Sequence, residues 1–411
     1  MTPTVRVSHP SRLAFAGLLG LTAVAVVAWP HARHALAAPP PVIARPAPPP
    51  GALPGVQAGR IEAVFVLDTT GSMGGLIEAA KEKIWSIASS MAQAQGGVDL
   101  RIGLVAYRDR GDEYVTRVVD LSGDLDQVYA TLMDFQADGG GDGPESVNQA
   151  LADAVTRISW SQGPGTYRTV FLVGDAPPHT DYGDTPLAQS VRTATARGIT
   201  VNAIQCGTQA DTTRVWQQVA DAGQGRYFQV GQDGGAQAMD TPYDDRLAAL
   251  SRELDATRLG YGDAATRARQ ERKAAATDKL EAAATVGAKA RRAVFNASAA
   301  GTGNLAGEGD LVADVRAGRV TLEAVPEAQL PPALRDLPAE RRAQAVHDAG
   351  ARRDALKDEI NQLARQRAAY AEKEVAARGG AEASLDAQVY RTVREQAGKA
   401  GLSYAPASAP A

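Results

Sequence analysis

Three oxygen-bearing side chains follow a short apolar run early in the chain. Asp68, Thr70 and Ser72 are spaced two residues apart, directly after the β-forming residues 64–67. One carboxylate and two hydroxyls in a single loop are hard oxygen donors, which Mg²⁺ and Mn²⁺ prefer. The loop by itself is also compatible with a simpler role, in which these side chains cap the start of a helix.

The elements around this loop favour a ligand-binding position. Residues 64–67 form an unbroken apolar run, typical of a central strand in a parallel sheet. Glycines at Gly71, Gly74 and Gly75 allow a sharp turn, and the apolar spacing over residues 76–94 predicts a helix. In open α/β sheets, ligands bind at the carboxyl ends of strands, where this loop would lie.

Two later stretches extend the pattern. Residues 139–151 read GGGDGPESVNQAL and residues 168–175 read RTVFLVGD. With the first loop, they resemble in order and spacing the metal-ion-dependent adhesion site of the von Willebrand factor A family. The resemblance covers roughly residues 59–235 and implies that Asp68, Thr70, Ser72 and Asp175 bind the cation, with Thr70 where a Ser is more usual.

The second loop departs from the family pattern. Gly143 stands where the family usually has a Thr that binds the cation. Asp142 is therefore expected nearest the ion, with Glu145 or Ser146 as substitutes. An additional carboxylate would raise the affinity for the cation and weaken its attraction for an incoming acidic group.

The resemblance also implies a function. In adhesive members of the family, an acidic side chain of a protein partner completes the coordination of the ion. We therefore expect a non-enzymatic, cation-dependent protein-binding module that uses Mg²⁺, or alternatively Mn²⁺ or Ca²⁺. His179 follows the third motif closely and could line the same rim of the sheet.

Two alternative functions follow from other features. A metal-assisted hydrolase could use Glu145 and His179 to activate water, although the chain has no Gly-x-Ser-x-Gly, His-Glu-x-x-His or phosphate-binding loop. In the other alternative, the helical second half binds the partner and the first half is a scaffold.

Composition narrows the class of partner and the redox chemistry. The net charge of −4 gives no indication of a nucleic acid partner. Cys206 is the single cysteine, which excludes an internal disulfide and a cysteine-based zinc site. It lies in a strand-like segment and is expected to be a small buried residue.

The first 58 residues have the pattern of an export segment and a spacer. Arginines precede an apolar run at residues 13–30, so residues 1–37 are predicted to be a signal peptide. An uncleaved membrane anchor is the alternative, because the run is near the minimum length of a span. Residues 38–58 are a proline-rich linker. The mature protein is expected in the periplasm or at the cell surface, with possible membrane proximity through this segment.

Residues 59–240 alternate between strand-like and helix-like segments. This alternation predicts a doubly wound, mostly parallel α/β sheet of the von Willebrand A or Rossmann-like type. A hairpin is expected at the turn formed by residues 108–113.

Residues 241–378 are predicted to form an α-helical region. A long helix at 339–378 has an apolar seam interrupted by Arg353 and Arg367, which favours a helical hairpin against residues 247–259 over a long coiled coil. The basic groups at 267–273 and 289–292 are interpreted as a solvated face. Residues 379–411 are expected to be a flexible tail.

Overall fold

A computed structural model describes residues 59–95, 97–141, 143–231, 240–377 and 385–404. The predicted signal peptide at 1–37 and the linker at 38–58 lie outside the described residues. Within the described ranges, no helix combines the length and the apolar character needed to cross a membrane.

Six strands form one sheet with the order β3-β2-β1-β4-β5-β6. All neighbouring strands are parallel except β2 and β3, which form the predicted antiparallel hairpin. The predicted fold class, a mostly parallel α/β sheet followed by a helical region, is confirmed. The strands are β1 Gly59–Asp68, β2 Val98–Tyr107, β3 Thr116–Ser122, β4 Thr166–Gly174, β5 Ile199–Cys206 and β6 Gln224–Val230.

The apolar run before Asp68 is the central strand β1. Phe65 stacks on Phe171 of β4 on one face, whereas Val64 and Val66 belong to the core on the other face. All four of these side chains are fully buried. β2 and β4 flank β1, so strands β2 and β3 are added on one side of β1 and strands β4 to β6 on the other. In an open α/β sheet, the ligand crevice forms at such a point, here between the carboxyl ends of β1 and β4.

Helices cover both faces of the sheet. The first two pack on the face that carries Phe65, and the next three pack on the face that carries Val64. Their bounds are α1 Ile77–Met91, α2 Leu125–Asp134, α3 Val147–Thr156, α4 Leu187–Ala196 and α5 Ala210–Ala222. A short 3₁₀ turn, Gly71–Gly75, connects β1 to α1.

The second half of the described chain is helical, as predicted. Its helices are α6 Asp244–Asp255, α7 Ala264–Ala283, α8 Val286–Ala297, α9 Thr302–Ala306, α10 Leu311–Arg316, α11 Pro332–Arg335 and α12 Ala339–Ala377. Ala284 and Thr285 separate α7 from α8, and the Thr285 hydroxyl caps α8 by accepting from the Ala288 N–H.

The long helix α12 packs against α6, as the sequence predicted. Leu356 and Ile360 of its seam lie in one apolar cluster with Leu247, Leu250 and Leu254 of α6. Arg353, which interrupts the seam in the sequence, is buried and forms an ion pair with Asp310 at 3.0 Å. The arginines in the seam are therefore part of the packed interface.

The basic groups interpreted as a solvated face are partly buried, so that interpretation is wrong for three of them. Lys273, Arg291 and Arg292 are each at most 8% exposed. Arg292 binds Asp126 of α2, which belongs to the sheet-containing part of the chain. Helical spacing alone could not reveal the acidic residues that lie opposite these cations on other elements.

The predicted flexible tail at 379–411 contains a packed helix, α13, formed by Leu385–Lys399. Val389 and Val393 are buried in the core on the Phe65 face of the sheet. Gln396 accepts a hydrogen bond from the Tyr167 hydroxyl and exchanges hydrogen bonds with Asn202. Burial of this apolar stripe and satisfaction of strand polar groups order the segment, which is a correction to the sequence prediction.

A charge placed in the interface of α13 should detach it. Val393 is fully buried, so Val393→Asp is expected to destabilise the protein by about 3 kcal/mol or more, because an unpaired carboxylate would lose its hydration. Unfolding in urea measures this change in the free energy of unfolding. Glu395→Gln, two residues away on the exposed side, should change stability by less than about 0.5 kcal/mol. Equal effects of the two substitutions would contradict the packed helix.

Candidate metal centre

The first loop folds around the carboxylate of Asp68. Asp68 is fully buried at the end of β1, and its Oδ1 accepts hydrogen bonds from the Thr70 N–H at 2.9 Å and the Thr70 hydroxyl at 2.7 Å. The turn thus fixes the hydroxyl of Thr70 beside the carboxylate. Asp68 Oδ2 is buried near the Tyr107 hydroxyl, but the two atoms do not form a hydrogen bond of standard geometry.

The third loop joins the same cluster. The Ser72 hydroxyl donates to Asp175 Oδ1 at 2.9 Å, across 103 residues of sequence, and lies 3.1 Å from the Thr70 hydroxyl. Gly174, before Asp175, permits this approach, since a Cβ there would lie 3.0 Å from Asp68 Oδ2 and 2.3 Å from the Tyr107 hydroxyl. The structure therefore brings together Asp68, Thr70, Ser72 and Asp175 as predicted from the sequence.

The second loop is anchored beside them by its glycines. Gly139 and Gly140 both have positive φ angles, of 74° and 76°, which side chains other than glycine rarely adopt. The carbonyl of Gly139 accepts from the Gly71 N–H, and Asp112 accepts from the Gly140 N–H. Asp142, the predicted ligand of this loop, lies outside the described residues.

Glu145 is the carboxylate that the structure places at the site from this loop. Glu145 is 2% exposed. If Gly140 carried a Cβ atom, that atom would lie 3.2 Å from Glu145 Oε1 and 3.5 Å from the Cβ of Thr70. Ser146, the other predicted substitute, donates its hydroxyl to Asp109 instead. An ideal Cβ on Gly143 would have no neighbour within 4 Å, so there is open space at the position where the family usually has a Thr.

The three buried carboxylates lack a compensating positive charge. Burial raises the pKa of Asp68 to about 7, and burial together with the nearby Asp68 charge raises that of Glu145 to about 9. Burial also raises the pKa of Asp175. Over the described ranges, no Lys or Arg forms an ion pair with these three side chains. The site therefore favours a bound cation.

The hydroxyl contact also fits a cation. When Asp68 and Asp175 are ionised, the Thr70 proton is directed to the first and the Ser72 proton to the second. The lone pairs of the two hydroxyls then face each other at 3.1 Å. The two hydroxyls and the two carboxylates of this cluster are hard oxygen donors of the kind that Mg²⁺ prefers. Among the described residues, no group of three or more His, Cys, Asp and Glu could hold a metal, so hydroxyls are required in the ligand set.

The raised pKa values predict how pH acts on cation-free protein. Below pH 4, these carboxyls are protonated in both the folded and the unfolded chain. As the pH rises, the unfolded chain loses the protons first, so folding stability should fall between pH 4 and about 7 through Asp68, and further towards about 9 through Glu145.

Melting temperatures at several pH values, with chelator and with Mg²⁺, test this expectation. Mg²⁺ should raise the melting temperature more at pH 8 than at pH 5, since the cation competes with protons for the carboxylates. A Mg²⁺ effect that is equal at both pH values would contradict a carboxylate site.

A second polar cluster, centred on Asp109, lies beside the candidate metal centre and is not predicted by the sequence motifs. Asp109 accepts from the hydroxyls of Ser146 and Tyr182, and His179 Nε2 lies 3.2 Å from its Oδ2. His179 is 8% exposed and stacks on Tyr182 with ring centroids 3.9 Å apart. His179 is therefore held between the third loop and the turn after β2. The charge-dense turn at 108–113 is the sequence signal for this cluster, although by itself it predicts only the hairpin.

Comparison with known proteins agrees with this architecture. The family model described as the von Willebrand factor A domain matches residues 62–242. The alpha-protein kinase vwkA of Dictyostelium discoideum is 29% identical over 125 residues, which are 30% of this chain and 19% of that protein. The chain thus spans about a fifth of the length of that curated relative.

Two solved structures are similar in part. One is proximal thread matrix protein 1 from the mussel byssus, in a form with a zinc-occupied metal-ion-dependent adhesion site motif. It is 16% identical, covers 43% of both chains and has a TM-score of 0.34. The other is the SpRpn10 von Willebrand A domain, at 14% identity and a TM-score of 0.34, covering 44% of this chain and 96% of that one. On the family match and the sheet described above, residues 62–242 of this chain form a von Willebrand factor A domain.

Proposed function

We propose that this protein is a divalent-cation-dependent protein-binding module that binds its partner at the carboxyl edge of the sheet. The carrying observation is the single oxygen cluster formed by Asp68, Thr70, Ser72 and Asp175, with buried negative charge that no cation of the described chain neutralises. A bound cation would neutralise this charge and present a positive centre to the partner.

The oxygen donor set supports Mg²⁺ as the cation, with Mn²⁺ or Ca²⁺ as alternatives. The resemblance to adhesive family members supports a protein partner that offers an acidic side chain to the ion. A net charge of −4 gives no support to a nucleic acid partner.

The proposal includes export to the periplasm or the cell surface, where such a module would meet its partner. Its support is the arginine-led apolar segment within residues 1–37. Fractionation of cells that express the chain with and without residues 1–37 tests it. Retention of both forms in the cytoplasm would contradict export.

Capture experiments with the intact chain test the binding function. Proteins from the exported compartment should be retained in Mg²⁺ and lost in chelator. Asp175→Asn should reduce the retained amount at least about tenfold, because the variant loses a charged ligand from the cation site. Asp211→Asn makes the same chemical change on the exposed surface of α5 and should leave capture unchanged. Capture that persists in chelator would refute the proposal.

The intact chain is required because the helical half also supports the sheet. α13 covers part of the Phe65 face, and Asp126 of α2 depends on Arg292 of α8 for its charge partner. Truncation near residue 240 would expose apolar core and leave a buried carboxylate without that partner. A truncated protein would therefore confuse loss of binding with loss of folding.

A further inference from the structure

We infer that Arg108 is a positioning residue of the candidate metal centre. It is the first residue after β2 and belongs to none of the three motifs. Its guanidinium holds the first and second loops in one arrangement, and it acts on the cation through the backbone rather than by contact. This inference rests on the proposed cation site and identifies what keeps that site in shape.

The carbonyl of Thr69 is the first contact of Arg108. Arg108 Nε donates to this oxygen at 3.2 Å, and the N–H of Asp138 donates to it at 3.1 Å. The same peptide unit carries the Thr70 N–H, which donates to Asp68 Oδ1 at 2.9 Å. Because a peptide unit is planar, fixing its carbonyl oxygen also fixes the direction of its N–H. Arg108 therefore orients the backbone hydrogen bond that holds the Asp68 carboxylate.

The second contact of Arg108 lies at the start of the second loop. Arg108 Nη2 donates to the carbonyl of Gln136 at 2.9 Å. Three residues later, the carbonyl of Gly139 accepts from the N–H of Gly71 in the first loop at 3.1 Å. A guanidinium has several N–H donors in one rigid plane, which suits it to bridge two carbonyls. One side chain thus joins the two loops that meet at Gly71.

Packing fixes the guanidinium in this position. The Arg108 side chain is 6% exposed, and its Cζ lies 4.7 Å from the centre of the Tyr114 ring. The carboxylates of Glu113 and Asp138 lie 3.7 and 3.8 Å from its Nη1, but they are 63% and 82% exposed. Exposed ion pairs contribute little to stability. The hydrogen bonds to the two carbonyls therefore account for the buried position of this cationic side chain.

The rest of the same turn contacts the other loops. Asp112 Oδ2 accepts from the N–H of Asp109 at 3.0 Å and from the N–H of Gly140 at 2.8 Å. The carboxylate of Asp109 accepts from the Tyr182 hydroxyl in the third loop at 2.8 Å. The turn after β2 thus reaches all three loops, and Arg108 supplies its side-chain contact with the first.

The charge of Arg108 and its position predict opposite effects on cation binding. By charge alone, a guanidinium beside the first loop repels a divalent cation, so its removal would strengthen binding. As a positioning residue, it holds the Thr69 carbonyl, so its removal would weaken binding. The sign of the change separates the two roles.

Titration of the intact chain with Mn²⁺ by calorimetry measures this sign. Arg108→Ala should weaken Mn²⁺ binding at least about tenfold, as replacement of residues that orient metal ligands does. Arg108→Lys keeps the charge but cannot bridge two carbonyls in one plane, and it should weaken binding at least about threefold. A smaller loss in Arg108→Lys than in Arg108→Ala agrees with partial retention of one hydrogen bond.

Arg117→Ala is the matched control. The guanidinium of Arg117 lies 4.2 Å from the centre of the same Tyr114 ring and pairs with the same Glu113, but the side chain is 44% exposed. It lacks the hydrogen bonds to loop carbonyls that Arg108 makes. Its removal should leave the Mn²⁺ affinity within about twofold of the parent.

Two further measurements distinguish positioning from a general loss of stability. Val393→Ala removes apolar packing under α13 and should lower stability, but its Mn²⁺ affinity should stay within about twofold of the parent, because the site is distant. Guanidinium ion, below the concentration that unfolds the protein, should partly restore Mn²⁺ affinity to Arg108→Ala, whereas ammonium should not. Circular dichroism in chelator verifies that each variant is folded at the temperature of titration.

The outcomes separate this inference from the proposed function. If the parent binds Mn²⁺ and the folded Arg108 variants bind it equally well or more tightly, only the role of Arg108 is refuted. The role is also refuted if Arg117→Ala or Val393→Ala weakens binding as much as Arg108→Ala does. If the parent itself does not bind Mn²⁺, the cation site is refuted and this inference with it.

Discussion

Asp68→Asn is expected to abolish stabilisation by Mg²⁺ and at the same time to stabilise the cation-free protein at pH 8. The parent should gain about 2.7 kcal/mol when Mg²⁺ is present at a hundred times its dissociation constant. The variant should gain nothing measurable, since it lacks the carboxylate around which the first loop is built. Without the cation, the variant no longer buries a carboxylate whose pKa is raised to about 7.

Chemical unfolding with Mg²⁺ and with chelator measures both effects. Asp211→Asn, which removes an exposed carboxylate from α5, should show the Mg²⁺ response of the parent and an unchanged stability in chelator. A Mg²⁺ response retained by Asp68→Asn would remove Asp68 from the cation site. If the variant is less stable than the parent in chelator, the expected gain from removing the buried carboxylate is contradicted.

Arg292→Ala is expected to destabilise the protein by about 3–5 kcal/mol, because it leaves buried carboxylates without their main charge partner. The guanidinium binds both oxygens of Asp126, at 2.7 and 2.8 Å, and both oxygens of Asp255, at 2.6 and 3.0 Å. Burial by itself would raise the pKa of Asp126, but the charges of Arg292 and Lys273 outweigh burial and hold that pKa well below its usual range.

Urea unfolding at pH 7 measures the loss. Arg269→Ala removes an arginine of the same helical region that is 44% exposed and pairs with Glu308, so its cost should lie between 0 and about 1 kcal/mol. Because Asp126 belongs to the sheet-containing part and Asp255 to the helical region, Arg292→Ala should also weaken the attachment of one to the other. A loss below about 1 kcal/mol would mean that packing, and not the ion pairs of Arg292, joins the sheet-containing part to the helical region.

The sequence was sufficient to predict the sheet and the four residues that meet in the candidate metal centre. The apolar run before Asp68 identified a strand buried on both faces, and Asp175 directly follows another such strand. Carboxyl ends of parallel strands meet at one edge, so the order of the motifs was enough to place these loops together. Local hydrogen bonding within Asp68–Ser72 then follows from the spacing of side chains along one turn.

Contacts between distant elements decided the rest. In the second loop, the bridge between Glu145 and Pro178 ties Glu145, two residues before α3, to the third loop. Spacing along a flexible, glycine-rich segment cannot determine which of several oxygens points inward.

The helical half shows the same limit. Helical periodicity predicted α12 and its contact with α6, since it shows which side of a helix is apolar. It could not show that Arg292 and Arg353 are buried, because their acidic partners belong to other elements. The apolar stripe of Val389 and Val393 likewise did not predict a packed helix, because the sheet surface that it contacts is distant in the sequence. A single chain determines its local faces, but only the folded structure determines what each face meets.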